Sequence, residues 1–172
     1  MRRIEGTADV RLIECVNPVR GKWRIRWDVQ PEEDGTATYM EEEFDHKPAS
    51  DEIKKTITDW YDRQTDAAIL SGYEWTVRHG DEEGQTVKVW LSQENQNNYK
   101  AKHDAARMYP QLVTFPMTYK ISEDEERNAV YETFQDIDEL AEFYLGGIDY
   151  IEQCVKRGWQ KKGALDMALY EA

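Results

Sequence analysis

The segment Lys22-Trp23-Arg24-Ile25-Arg26-Trp27-Asp28-Val29 alternates charged and apolar residues without a break. A repeat of two is the signature of a strand with one buried and one wet face. It places Trp23, Ile25, Trp27 and Val29 on one side and the charges on the other. Whatever else this chain builds, it must cover a strand face carrying two tryptophans.

The neighbouring sequence supplies partners for that strand. Residues 10–16 form a mostly apolar run that Asn17-Pro18 and Arg20-Gly21 break as a turn. A polar turn over 31–35 leads into residues 36–44, which return as a further strand. Residues 1–46 therefore read as an antiparallel β ribbon of two or three strands. Such a ribbon is marginal alone, so it must pack on the rest of the chain or on a partner.

After Pro48 the pattern changes. Ser50 can cap a helix, and Asp51 and Glu52 suit its first turn. Ile53, Ile57, Trp60, Ala67 and Leu70 recur at helical spacing, and Gly72 supplies the stop. The apolar blocks 73–77 and 86–91 flank a polar loop as in a hairpin. A helix over 92–108 follows, with Ser92 as cap. A second hairpin joins 112–121 to 129–134, with Pro116 calling for an edge or a bulge. Asp136 and Glu139 have capping-box spacing. They open a helix with Ile137, Leu140, Tyr144, Ile148, Ile151 and Val155 on one stripe, ending near Gly158. Gly146-Gly147 lies inside that helix, where glycine is costly, and predicts the close approach of another backbone, or a kink.

The fold class is thus α+β: the N-terminal ribbon, then α-ββα-ββα, with an antiparallel sheet covered by helices on one face. The expected division is a ribbon or small subdomain at 1–46, an α+β domain at 50–165 and a tail at 166–172. A length of 172 residues fits one domain, or a domain with a small extension. Aromatic residues are 12% of the chain, too many for a disordered one despite its charge.

That charge is −13, and each third of the chain carries more acid than base. Phosphate binding needs clustered cations, so nucleic acid is not an expected partner. No run approaches the ~20 apolar residues of a membrane span, and MRRIEGTADV lacks the apolar core of a secretory signal. A cytoplasmic location is expected, with Cys15 and Cys154 as free thiols.

Catalytic and metal-binding patterns are missing. His46, His79 and His103 are unpaired in sequence, and no phosphate loop or nucleophile elbow occurs. The acidic runs at 41–45, 81–83 and 123–126 lack the alternating ligands and turning glycine of a calcium loop. Asp59, Asp62 and Asp66 share a helix face, read as an exposed polar face. No cofactor, no metal and no enzymatic activity is expected.

Two clusters remain as candidates. Trp23 and Trp27 with Arg24 and Arg26 have the composition of an interface anchor. They are the candidate contact for a protein partner or a second copy of the chain. A single-strand nucleic-acid platform would need rings and arginines on one face, and the alternation separates them. The second cluster is the amide-rich helix start Ser92, Glu94, Asn95, Asn98 and Tyr99, a candidate ligand-binding or structural group.

Residues 57–60, 65–75 and 89–99, with 134–140 and 150–152, resemble a domain family of unknown function from phage and prophage tail-region proteins. Shared features include a helix ending in a Ser-Gly-aromatic turn (Ser71-Gly72-Tyr73), then a hairpin, then the polar helix start Ser92-Gln93-Glu94-Asn95. Some members are similar to, or fused with, tail-fibre assembly proteins. The resemblance covers about residues 50–165 and carries no catalytic residues. It implies a non-enzymatic role in tail assembly, as chaperone or minor structural component, through protein–protein contacts. The alternative is a small-ligand or peptide-binding module with a groove near residues 94–99.

Overall fold

The computed structural model describes residues 1–171. The chain is α+β. Four strands come first: β1 (Arg2–Thr7), β2 (Ile13–Asn17), β3 (Lys22–Pro31) and β4 (Thr36–Phe44). Then follow α1 (Ser50–Leu70), β5 (Tyr73–Thr76), β6 (Thr86–Val89), α2 (Gln93–Met108), β7 (Met117–Glu123), β8 (Ala129–Phe134) and α3 (Ile137–Gly163), with a 3-10 turn at Met167–Tyr170. The order after residue 50 is the expected α-ββα-ββα.

The chain divides into two compact units. Unit 1 is Met1–Asp62 together with the residues from Lys161 onward, and unit 2 is Arg63–Gln160. The expected boundary at 46–50 shifts into the helices because Ile53, Ile57, Trp60 and Tyr61 of α1 join the core of the N-terminal sheet. The expected tail carries the short 3-10 helix Met167–Tyr170, capped by Asp166. Tyr170 is buried in the same core and donates its hydroxyl to the Arg26 carbonyl at 2.8 Å.

In unit 1 the sheet has four strands, in the order β1-β4-β3-β2, all antiparallel. Strand β1, rich in charge and without apolar alternation, was invisible to pattern reading and pairs along β4. The β3–β4 register places Trp23 opposite Phe44 and Trp27 opposite Met40, and Arg24 opposite Glu43 and Arg26 opposite Glu41. Apolar pairs thus share one face and ion pairs the other. The alternation ends at a bulge between Trp27 and Gln30, where Asp28 takes φ 52°.

In unit 2 the four strands make two hairpins, β5-β6 and β7-β8, each burying one face. The ladder does not continue across all four. Two backbone bonds join the hairpins, Trp90 N–H to the Ile121 carbonyl (3.1 Å) and Thr133 N–H to the His79 carbonyl (3.3 Å), with the Ser122 hydroxyl donating to the Lys88 carbonyl (2.7 Å). A bulge between Lys120 and Ser122 interrupts the β7 edge that would have extended the ladder. Strand β7 begins only at Met117, after Pro116, which has no N–H to donate.

Phe143 of α3 is the centre of this unit. It is 1% exposed, and the rings of Tyr73, Trp75, Tyr99 and Phe134 lie 5.0–5.9 Å from it. Helix α3 starts on Asp136, whose Oδ1 accepts from the N–H groups of Asp138 (2.9 Å) and Glu139 (3.0 Å). Glu139 bonds back to the Gln135 N–H at 2.7 Å, one residue before the usual capping-box target. The helix runs past Gly158 to Gly163, because Gly158 is a packing position against Thr65 and not a stop. Gly72 does end α1: it has φ +80° and lies against the Val89 carbonyl, where a Cβ would collide. Ser50 is the first residue of α1, and the Ile53 N–H bonds to the Ala49 carbonyl (3.0 Å), so the cap position is Ala49. Leu70, read as part of the apolar stripe, is 59% exposed; Ile69 packs on the core instead.

Candidate functional site

Unit 2 has a cleft of about 200 Å³ between one face of α2 and one face of α3. Gln93, Gln96, Asn97 and Lys100 line it from α2, spaced i, i+3, i+4 and i+7. Tyr144, Gly147, Ile148 and Ile151 line it from α3 with the same spacing. Two helical stripes therefore face one opening. Tyr73, Leu91, Tyr99 and Phe143 complete the lining.

Each wall has a local cause. Ser92 caps α2, its Oγ accepting the Asn95 N–H at 3.3 Å. The Gln96 amide reaches back to the Leu91 carbonyl at 2.7 Å and fixes the entry of the helix. Gln93 donates to the Asn97 Oδ1 at 3.2 Å, an i,i+4 pair. The amide-rich start, weak in helix propensity, is thus held by its own side chains. On α3, Gly147 opens the space. A Cβ at Gly147 would stand 3.5 Å from Leu91 Cδ2 and from Tyr73 Cε1. The approach predicted for Gly146-Gly147 is by these side chains, not by another backbone.

Burial and bonding set the chemistry of the lining. Tyr73 donates its hydroxyl to the Phe143 carbonyl at 2.7 Å, and burial pushes its ionisation well above the usual tyrosine range. Burial pushes Tyr99 up to about 12. Lys100 is bonded to Asp104 at 2.5 Å, which raises the ammonium and lowers the carboxyl from their ordinary values. The cleft thus has an apolar floor, a rim of neutral amides and one cation already paired.

Of the amide cluster, only Tyr99 lines this cleft. Ser92 is the cap, Asn95 is half-buried beside it, and Glu94 and Asn98 are exposed and not part of the lining. The residues that do line it, Gln93, Gln96 and Asn97, lie in the same segment. Their 3.6-residue stripe was the signal that would have selected them.

The other cluster divides. Trp27 is 2% exposed and packs edge-to-face on Trp60 at 5.9 Å, so it belongs to the core of unit 1. Trp23 is half-buried under the Lys47 ammonium. Arg24 pairs with Glu43 (3.3 Å) on the opposite face. Arg26, read as solvated, is 6% exposed and bonds to Glu41 (3.0 Å), Glu14 (2.9 Å) and the Arg11 carbonyl (2.9 Å). The four residues therefore form no common surface: rings and arginines lie on opposite faces of β3.

The histidines have acidic neighbours that their isolation in sequence hid. His46 meets Glu52 at 2.9 Å, and His79 meets Glu139 at 3.0 Å. His103 stacks on Tyr144 at 4.9 Å. Beside His79 lies Glu132, 1% exposed, which accepts four hydrogen bonds of 2.6–3.0 Å, from the Trp75 indole and the N–H groups of Arg78, His79 and Thr133. It fastens the loop after β5 to β8. Asp59 is bonded to Lys55 and Asp62 to Lys162, both at 2.5 Å, and Asp66 is exposed. Among the described residues no group of three or more His, Cys, Asp or Glu is placed to hold a metal ion, and no helix is long and apolar enough to cross a membrane.

The chain matches no family model, no curated protein and no solved structure. The site geometry is therefore what bears on function.

Proposed function

We propose that this protein is a non-enzymatic binding module that acts through protein–protein contacts, and that the α2–α3 cleft takes an apolar side chain from a partner. The observation that supports this reading is the lining itself: an apolar floor framed by neutral amides. Ligand sites are concave, mostly apolar and furnished with a few polar groups. At about 200 Å³ the cleft falls below the ~300 Å³ of drug-sized sites. That size suits one side chain of a larger partner better than a whole cofactor. The tail-assembly setting in a phage or prophage belongs to the same proposal and is supported by the resemblance of residues 50–165.

The test is an NMR titration of the full chain with blocked tripeptides whose central residue is Ala, Leu, Met or Phe. Leu, Met and Phe should shift the amides of Leu91, Asn97 and Gly147 saturably, and Ala should not. Gly147→Ala, which adds a methyl to the floor, should weaken the effect. Shifts scattered over the surface, or the same affinity in Gly147→Ala, would count against the cleft as the site.

A further inference from the structure

We infer that the cleft selects an uncharged apolar group with a hydrogen-bond acceptor beside it, and that the Tyr99 hydroxyl is the group that reads the acceptor. This rests on the binding role of the cleft and names the chemistry of its occupant.

Tyr99 is 9% exposed, and its ring is held edge-to-face on Phe143 at 5.1 Å. Other tyrosines of this unit satisfy their hydroxyls internally. Tyr73 donates to the Phe143 carbonyl at 2.7 Å and Tyr150 to the Ala68 carbonyl at 2.9 Å. The Tyr99 hydroxyl has no hydrogen-bond partner among the described residues, although its side chain lines the cleft. A buried hydroxyl that stays unpaired when a ligand excludes water is penalised, and one that gains an acceptor is rewarded. At neutral pH this phenol is protonated and donates.

Charge narrows the occupant further. No carboxylate lines the cleft to receive a cation. The one ammonium there, Lys100, is bonded to Asp104, and the chain carries −13, so an anion is not favoured either. A neutral occupant with an apolar body and an acceptor remains. In a partner polypeptide that description fits an apolar side chain followed by its own backbone carbonyl. Gln93 and Asn97 on the rim have amide capacity left over for the adjoining backbone.

The test compares wild type with Tyr99→Phe, a change that keeps the ring. The probes are cumene and acetophenone, close in shape but differing by one carbonyl, and N-acetyl-leucine N-methylamide. Affinities come from the amide shifts of Leu91, Asn97 and Gly147 in the full chain. Tyr99→Phe should weaken acetophenone and the blocked leucine about 5-fold, the worth of one net hydrogen bond, and leave cumene unchanged. Equal affinities in the two proteins for every probe would overturn the role of Tyr99 while leaving the cleft a binding site. Binding of acetophenone without the blocked leucine would overturn the polypeptide occupant in favour of a small molecule. No saturable shift from any probe would overturn the binding role itself.

Discussion

Helix α3 carries three internal glycines whose surroundings differ, and they predict a ranked series of stabilities. Alanine in place of an interior helical glycine gains about 1 kcal/mol from backbone entropy. At Gly147 the new Cβ meets Leu91 and Tyr73 at 3.5 Å, an ordinary contact, so Gly147→Ala should keep the gain of about 1 kcal/mol. At Gly146 it meets Tyr73 Cε2 at 3.3 Å, and the ring must yield by a few tenths of an ångström, so Gly146→Ala should come out near neutral. At Gly158 it falls inside 3.0 Å of Thr65 Oγ1. Thr65 is β-branched and stiff at χ1, and its Cβ and Cγ2 also lie 3.4 and 3.5 Å from the new Cβ, so little room is left for Oγ1 to give way. Overpacking of about 1–3 kcal/mol then exceeds the helix gain, and Gly158→Ala should destabilise by up to about 2 kcal/mol. Urea denaturation followed by far-UV circular dichroism measures all three. In thermal melts about 1 kcal/mol corresponds to about 2–4 °C at this chain length. A stabilised Gly158→Ala beside a destabilised Gly147→Ala would refute the packing assigned to both helix faces. If Gly147→Ala is the more stable protein and also the weaker binder, the glycine keeps the cleft open at the expense of stability.

Two further perturbations probe the other end of unit 2. Glu132→Ala leaves four donors around a site that is 1% exposed, and unfolding in urea should show a loss of about 3 kcal/mol or more; a loss under about 1 kcal/mol would mean that the loop is not fastened there. The His79–Glu139 pair predicts a pH window. The carboxylate bond holds His79 above the usual 6.5, so its contribution is complete below 6.5 and fades as pH rises through the higher folded value. The Gln135 N–H and then His79 hold Glu139 below the usual 4.5, so its contribution is complete above 4.5 and fades as pH falls through the lower folded value. Thermal stability should therefore decline on the alkaline side of 6.5, and His79→Gln should flatten that decline; an unchanged slope would show that another group titrates.

Period and punctuation made much of the fold legible. Trp23, Ile25 and Trp27 do share a face, and Gly72, Ser92 and Asp136 act where local chemistry put them. What pattern could not supply was tertiary competition. Strand β1 has no alternation to read and exists because β4 offers it an edge. Arg26 alternates like a surface residue, yet Glu14, Glu41 and the Arg11 carbonyl enclose it. Glu132 looks like any strand-face acid until four donors converge on it. The cleft was half legible. Its segment stood out for amide content, but composition favoured Glu94 and Asn98, and helical spacing was needed to reach Gln93, Gln96 and Asn97. The α3 wall read as core, because a half-buried stripe and a buried one have the same period.

The bond from the Tyr170 hydroxyl to the Arg26 carbonyl spans 144 positions along the chain. Synthesis proceeds from the N-terminus, so the residues of unit 2 all leave the ribosome before Tyr170 does. The tryptophan-bearing sheet of unit 1 must then wait, its core incomplete, while a whole contiguous unit is made and able to fold. During that interval the core that holds Trp27 and Ile25 lacks Tyr170. A chain that has left the ribosome up to about residue 160, with the residues after it still inside, would hold a complete unit 2 and an unsealed unit 1, the state most open to aggregation or to a chaperone.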